Sequence, residues 1–216
     1  SLANGRPIFR SELPMFDYSL NAQFDCKTER AELGFASDDK VLMFFGYVRK
    51  YKGLDILLRA FPLILKQIPN AKLLVVGEFY DKPEIYTDIA RENGTLEKVK
   101  FVNQFIPNEE VGKYFAAADV MVQPYRSATQ SGILNVAYSF GVPAVVTRVG
   151  GLEEYVTSGV TGIVVEPESP KQIAEGVISF YELRQTVNFS ENIRERVAKS
   201  SFNGITDVFE SIVSSV

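Results

Sequence analysis

The sequence predicts an α/β protein: a doubly wound, Rossmann-like parallel sheet of six strands with helices on both faces. Three observations carry this. Apolar runs of strand length recur from residue 41 onward, including VLMFFGY (41–47), AKLLVVGE (71–78) and PAVVTRV (143–149). They are nearly continuous rather than alternating, as strands buried on both faces are. Segments with helical spacing separate them, and strictly alternating strands and helices select a parallel sheet.

Taken in order, KTERAELGF (27–35) reads as a short helix ended by Gly34. After the first strand, GLDILLRAFPLILKQIP (53–69) places Leu54, Leu57, Leu58, Phe61 and Leu65 at helical spacing. Pro62 inside it predicts a kink or a very early helical position. The second strand is 71–78, and KPEIYTDIAREN (82–93) is a helix stopped by Gly94. KVKFVN (98–103) is the third strand. NEEVGKYFAAA (108–118) is a helix with Asn108 as N-cap and acidic residues in its first turn. DVMVQPY (119–125) is the fourth strand. A helix over 131–140, a strand over 143–149, a short helix near 151–157 and a strand over 162–167 follow. Residues 169–216 read as two or three amphipathic helices, the first begun by Ser169-Pro170. Residues 1–38, with Pro7 and Pro14, stand outside the alternation and read as an extra lobe or the end of something truncated.

Composition excludes several classes of function. A net charge of −4 leaves no broad basic field for nucleic acid. The apolar runs are too short to span a bilayer. The first residues, SLANGRPIFRSELP, lack the charged-then-apolar layout of a signal peptide. A single cysteine, Cys26, excludes an internal disulfide, fits a reducing compartment and reads as a plain structural or surface residue. The sequence contains no histidine, which removes Ser-His-Asp and Cys-His catalysis and His-ligated metals. Chemistry falls to Lys, Arg, carboxylates, hydroxyls, amides and backbone dipoles.

In a doubly wound sheet the ligand lies outside the C-terminal strand ends, where the strand order switches. The first strand-to-helix turn, GYVRKYKGLD (46–55), brings Gly46, Arg49, Lys50, Lys52 and Gly53 to that edge. Basic side chains beside a helix N-terminus suit a phosphate or diphosphate, although a solvated basic loop reads the same way. The turn has neither the Walker A spacing nor the Gly-x-Gly-x-x-Gly fingerprint. A second anion site is predicted at YRSATQSGILNVAYSFGVPAVVT (125–147). The N–H groups of Ser131, Gly132 and Ile133 should lack partners within their helix. Gly132 lets a ligand approach the backbone, and Thr129, Gln130 and Ser131 add side-chain donors. The alternative is that these residues merely cap the helix. A third stretch, GVPAVVTRVGGLEEYVTSGVTGIVVEP (141–167), carries a flexible Gly150-Gly151 turn, with Glu153 and Glu154 opening a short helix.

The order and spacing of FFGYVRKYKGLDILLRAF, LLVVGE, VKFVNQFIPNEEVGKYFAAADVMVQPY and GVPAVVTRVGGLEEYVTSGVTGIVVEP resemble the C-terminal, donor-binding half of glycosyltransferase family 4. That family comprises retaining, group 1 enzymes of GT-B architecture. The likeness covers about residues 39–215, and SELPMFDY (11–18) is similar to the stretch that joins the two lobes. It implies a donor-binding domain over 39–216, with 1–38 as an interlobe segment left from the linker to a missing N-terminal lobe. The implied activity moves a hexosyl group from a UDP-, GDP- or ADP-sugar to a saccharide or lipid-linked acceptor, with no cofactor and no metal. The isolated domain is expected to be inactive, and the whole protein to be cytoplasmic, with possible peripheral association at the inner face of the membrane in polysaccharide biosynthesis.

The resemblance assigns the donor diphosphate to Lys52 and, in place of the family arginine that Tyr47 replaces, to Arg49. Two family glutamates would fall at Ala128 and Val136, or with a one-residue gap at Thr129 and Ala137, so both are missing. Gln130 and Asn135 are the nearest polar substitutes. The base is implied to rest against NQFIP (103–107), read by Gln104 and Ile106, with Gly46, Gly77 and Glu78 facing the same cleft. Phe105 reads more as a core side chain than as a stacking partner. A non-catalytic, GT-B-like partner or scaffold subunit is the alternative that the missing glutamates favour. An epimerase or a phosphorylase fits less well, for want of central acidic and His residues or of a cofactor lysine motif.

Overall fold

The computed structural model describes residues 2–3, 6–7 and 24–199. Leu2–Ala3 (β1) and Arg6–Pro7 (β2) form a two-residue antiparallel pairing. Then come α1 (Cys26–Glu32), β3 (Lys40–Phe45), α2 (Leu54–Gln67), β4 (Ala71–Val76), α3 (Glu84–Glu92) and β5 (Val99–Val102). The chain continues through α4 (Asn108–Ala117), β6 (Val120–Gln123), α5 (Gly132–Ser139), β7 (Ala144–Thr147), α6 (Leu152–Tyr155), β8 (Gly162–Val165), α7 (Pro170–Leu183) and α8 (Phe189–Lys199). The SELPMFDY stretch and the tail beyond residue 199 lie outside the described residues, as does half of the segment expected to join two lobes. Of that segment α1 packs on α4, where Lys113 Nζ meets Glu32 at 2.7 Å.

The six main strands are all parallel, in the order β5-β4-β3-β6-β7-β8. The expected doubly wound α/β sheet is therefore present. Alternate residues of β3 feed two separate cores. Leu42 and Phe44 join α2 and α7 on one face, while Val41, Met43 and Phe45 join α4 and α5 on the other. Such two-sided burial is why the strands carry almost no polar residues. The strand order reverses between β3 and β6, so the crevice beyond their C-terminal ends is where a ligand site belongs in this architecture.

Three local features differ from expectation. The N-cap of α4 is Pro107, without a side-chain capping bond, and Asn108 is the first helical residue. Pro107 already has the extended conformation that precedes a helix, which moves the boundary back by one. Pro62 sits well inside α2, not at its start. Its ring removes the N–H that would reach Leu58 O. The side chain of Asn93 supplies the missing donor, Nδ2 to Leu58 O at 3.1 Å. Tyr47, assigned to the first strand from sequence, lies beyond its end and is exposed. Several expected helix-end signals hold. Ser169 Oγ accepts from Gln172 N at 3.2 Å and Pro170 opens α7, while Gly34 and Gly94 follow α1 and α3 with positive φ. Cys26 is exposed and free. Among the described residues no helix is long and apolar enough to cross a membrane.

Candidate functional site at the strand switch

Two cavities open at the C-terminal edge of the sheet. The larger, about 520 Å³, is lined by Tyr51, Lys52, Tyr125 and the loop from Ser127 to Ile133. The smaller, about 150 Å³, is lined by Phe45, Gly46, Tyr47, Lys52, Gly77, Glu78, Gln104, Phe105, Ile106 and Ile133. Lys52 and Ile133 line both and form the wall they share.

Lys52 reaches this position because the chain turns sharply after β3. Residues 50–52 form one 3-10 turn, and Gly53 closes it with φ +71. A Cβ on Gly53 would sit 2.0 Å from Pro124 O, so only glycine permits the turn to touch the end of β6. The Lys52 residue is 8 % exposed, and its Nζ lies 5.8 Å from the centroid of the Tyr125 ring. It makes no ion pair among the described residues. Burial, reinforced by the charge of Arg49, pushes its pKa down to about 8. A buried ammonium with no counter-ion is disfavoured, which is why its pKa falls, and an anion beside it would favour the charged form.

The loop before α5 is the second half of the site. Ser131 occupies the N-cap position with φ −133 and ψ 104, yet its side chain makes no capping bond. No described acceptor meets the N–H groups of Ser131, Gly132 or Ile133. The helix start therefore faces the cavity with open donors, and capping by Ser131 does not occur. Nothing lies within 4 Å of a Cβ built on Gly132. The fold leaves space there.

Two contacts brace this loop. Arg126 binds Asp55 through both guanidinium nitrogens, at 2.9 and 2.7 Å, and also donates to Lys50 O at 2.7 Å. On the other side, a Cβ on Gly150 would fall 1.5 Å from Ala128 O, and one on Gly151 2.6 Å from Thr129 O. Gly151 N donates to Thr129 O at 3.1 Å. The Gly150-Gly151 turn, expected to be flexible, is instead a close-packed support for the loop.

Of the residues singled out from sequence, the fold gathers Lys52, Gly46, Glu78, Gln104, Phe105, Ile106, Thr129, Gln130, Ser131, Gly132 and Ile133 around the two cavities. Two stand apart. Arg49 lines neither cavity, and its guanidinium stacks 4.1 Å over the ring of exposed Tyr80. Asn135 lines neither cavity, and its Oδ1 is buried and unpartnered among the described residues. Phe105 is 64 % exposed at the mouth of the smaller cavity rather than in the core, because β5 ends at Val102 and the chain leaves the sheet there.

The sequence reading missed Gln123 and the Arg126–Asp55 clamp. Gln123 is 2 % exposed at the end of β6, and its Nε2 donates to Ser131 Oγ at 2.9 Å. A polar residue inside the apolar run DVMVQPY was the available signal. For the clamp, the signal was an acid after the first strand and a base after the fourth, on strands that this topology makes neighbours.

The fold and cleft define a Rossmann-like, doubly wound α/β protein. Residues 25–199 match the family described as glycosyl transferases group 1, and the chain belongs to that family. It is 35% identical over 170 residues to a D-inositol 3-phosphate glycosyltransferase of Catenulispora acidiphila, covering 75% of this chain and 40% of that protein. It is 33% identical over 163 residues to an uncharacterized glycosyltransferase of Methanocaldococcus jannaschii, covering 75% of this chain and 41% of that protein. The chain thus spans about 40% of the length of these relatives. Among solved structures, Anabaena HepE in complex with UDP has a TM-score of 0.74 at 22% identity, over 93% of this chain and 56% of that one. The C-terminal domain of the group 1 protein LpcC from Francisella tularensis has a TM-score of 0.72 at 21% identity, over 87% of this chain and 99% of that one.

Proposed function

We propose that this domain is the donor-binding lobe of a retaining glycosyltransferase of family 4, holding a nucleoside diphosphate sugar for transfer to a saccharide or lipid-linked acceptor. The observation that carries the reading is the pairing of a buried, uncompensated Lys52 with the uncapped start of α5 across one cavity. Both features favour an anion, and their separation by a cleft suits a diphosphate. In use, Lys52 and the open N–H groups would hold the diphosphate and stabilise the charge it gains as the glycosyl bond breaks, an electrostatic form of catalysis. The smaller cavity, with Gln104, Phe105 and Ile106, would take the base. HepE, which shares the fold, has been crystallised with UDP and with UDP-glucose, and this supports a uridine donor as the first one to test. The rest of a longer protein would hold the acceptor and bring the whole to the inner membrane face.

The loop before α5 contains no carboxylate, which favours a second reading, a non-catalytic subunit that keeps the fold. Thermal unfolding of the chain with UDP, GDP, ADP and their sugars separates the two. A ligand at about 100 times its Kd stabilises by about 2.7 kcal/mol. A base-selective rise in Tm that disappears in Lys52→Ala supports the donor site. No rise with any nucleotide at millimolar concentration overturns it.

A further inference from the structure

Ser131 stands where a serine ordinarily accepts a hydrogen bond from its own helix, at N2 or N3. It does not do so. Its Oγ instead accepts from Gln123 Nε2 at 2.9 Å, and the same amide nitrogen lies 3.4 Å from the Tyr125 hydroxyl. Gln123 is itself almost wholly enclosed, and its Oε1 has no partner among the described residues. A buried amide oxygen left unpaired is destabilising. An apolar side chain of the same size would avoid that cost, so the stability of the sheet does not account for a glutamine here.

We propose that Gln123 is a positioning residue for the anion: it holds the Ser131 hydroxyl off the α5 N-terminus and so keeps the N–H groups of that helix start open. A hydroxyl has one proton to donate and two lone pairs. Engaged by Gln123 and by the Tyr125 side chain, the Ser131 hydroxyl is held away from its own helix. The N–H groups of Gly132 and Ile133 stay open to an incoming phosphate oxygen. Without the amide, the hydroxyl is free to rotate onto its own helix, closing the donors that the ligand needs. Gln123 lines neither cavity, so its effect passes through the hydroxyls it meets, Ser131 first and Tyr125 second.

This rests on the donor-site reading above, and the experiment keeps the two apart. The full chain, as wild type, Gln123→Met, Ser131→Ala and the double variant, is titrated calorimetrically with UDP, GDP, ADP, inorganic pyrophosphate and the matching nucleoside. Melting temperatures of the free proteins are measured in parallel. Gln123→Met keeps the volume and removes both amide groups. It is expected to weaken diphosphate binding roughly tenfold, the worth of one hydrogen bond to a charged group. Nucleoside affinity should be unchanged, and the free protein should melt no lower than wild type. Ser131→Ala should bind about as well as wild type and should restore binding beside Gln123→Met, since no hydroxyl is then left to close the helix start. Wild-type affinity in Gln123→Met overturns the proposal, as do losses that simply add in the double variant. Equal loss of nucleoside and diphosphate affinity with a lowered Tm also overturns it, since that marks a general packing effect. If wild type binds none of the diphosphates, this inference and the donor-site reading fall together.

Discussion

The guanidinium of Arg126 meets both carboxylate oxygens of Asp55, residues 71 apart in sequence, and so fastens the loop after β6 to the first turn of α2. Burial alone would raise the Asp55 pKa, but the hydrogen bonds and charge of Arg126 outweigh it and hold the carboxyl below its ordinary value of 3.8. The pair therefore stabilises the fold above about pH 4, and that stability is lost as pH falls through the lowered pKa. Arg126→Ala is expected to cost about 1–2 kcal/mol at neutral pH, since the pair is only partly shielded from water. Urea unfolding at pH 7 and pH 3 checks this. The gap between wild type and variant should shrink at the lower pH.

Lys52 gives a second pH dependence, of the same sense but in a higher window. Its pKa of about 8 lies below the ordinary 10.5, so between those values the unfolded chain binds more protons than the folded one. Stability should rise with pH across that window, and Lys52→Met should abolish the rise. A diphosphate needs the protonated form, so UDP affinity should fall as pH climbs through 8. At pH 8 binding should take up about half a proton, which calorimetry in buffers of different ionisation enthalpy reads directly.

Two glycines of the cleft should respond oppositely to alanine. Gly53→Ala places a methyl against Pro124 O at a positive φ, and the variant should lose at least about 2 kcal/mol. Gly132→Ala meets nothing within 4 Å, so the fold should tolerate it. Its methyl would occupy the space through which a ligand nears the backbone. The expected result is an unchanged or slightly higher Tm with weaker UDP binding. Unchanged binding would show that the ligand does not approach the helix there.

Asn93 and Pro62 should be coupled. Asn93→Ala leaves Leu58 O without its donor and should cost about 1 kcal/mol. In Pro62→Ala the restored backbone N–H can reach Leu58 O, so the same Asn93 change should then cost less. A double-mutant cycle in thermal unfolding measures the difference.

The sheet was legible because VLMFFGY, AKLLVVGE and PAVVTRV are buried on both faces and so read as uninterrupted apolar runs. The open start of α5 was legible as a small-residue loop running into a helix. Other features depend on tertiary contacts that no local pattern records. The bond from Gln123 to Ser131 exists because β6 ends beside the N-cap. Gly150-Gly151 is packed rather than loose because the carbonyls of Ala128 and Thr129 come down on it. Phe105 read as core because an aromatic beside an apolar strand is usually buried, and only the point at which the chain leaves β5 exposes it. Arg49, expected at the diphosphate, lies over the exposed Tyr80 ring and lines neither cavity.

Turning the Ala128 and Thr129 carbonyls onto the glycine turn keeps two negative dipole ends away from the cavity. The chain as a whole carries −4, which offers an anion no attraction from afar. At physiological ionic strength that unfavourable field fades within about 8 Å, the distance at which local dipoles begin to matter. An anion held at the proposed donor site would therefore be captured on contact and not by steering, with its selectivity set by residence time and its rate of arrival left to ordinary diffusion.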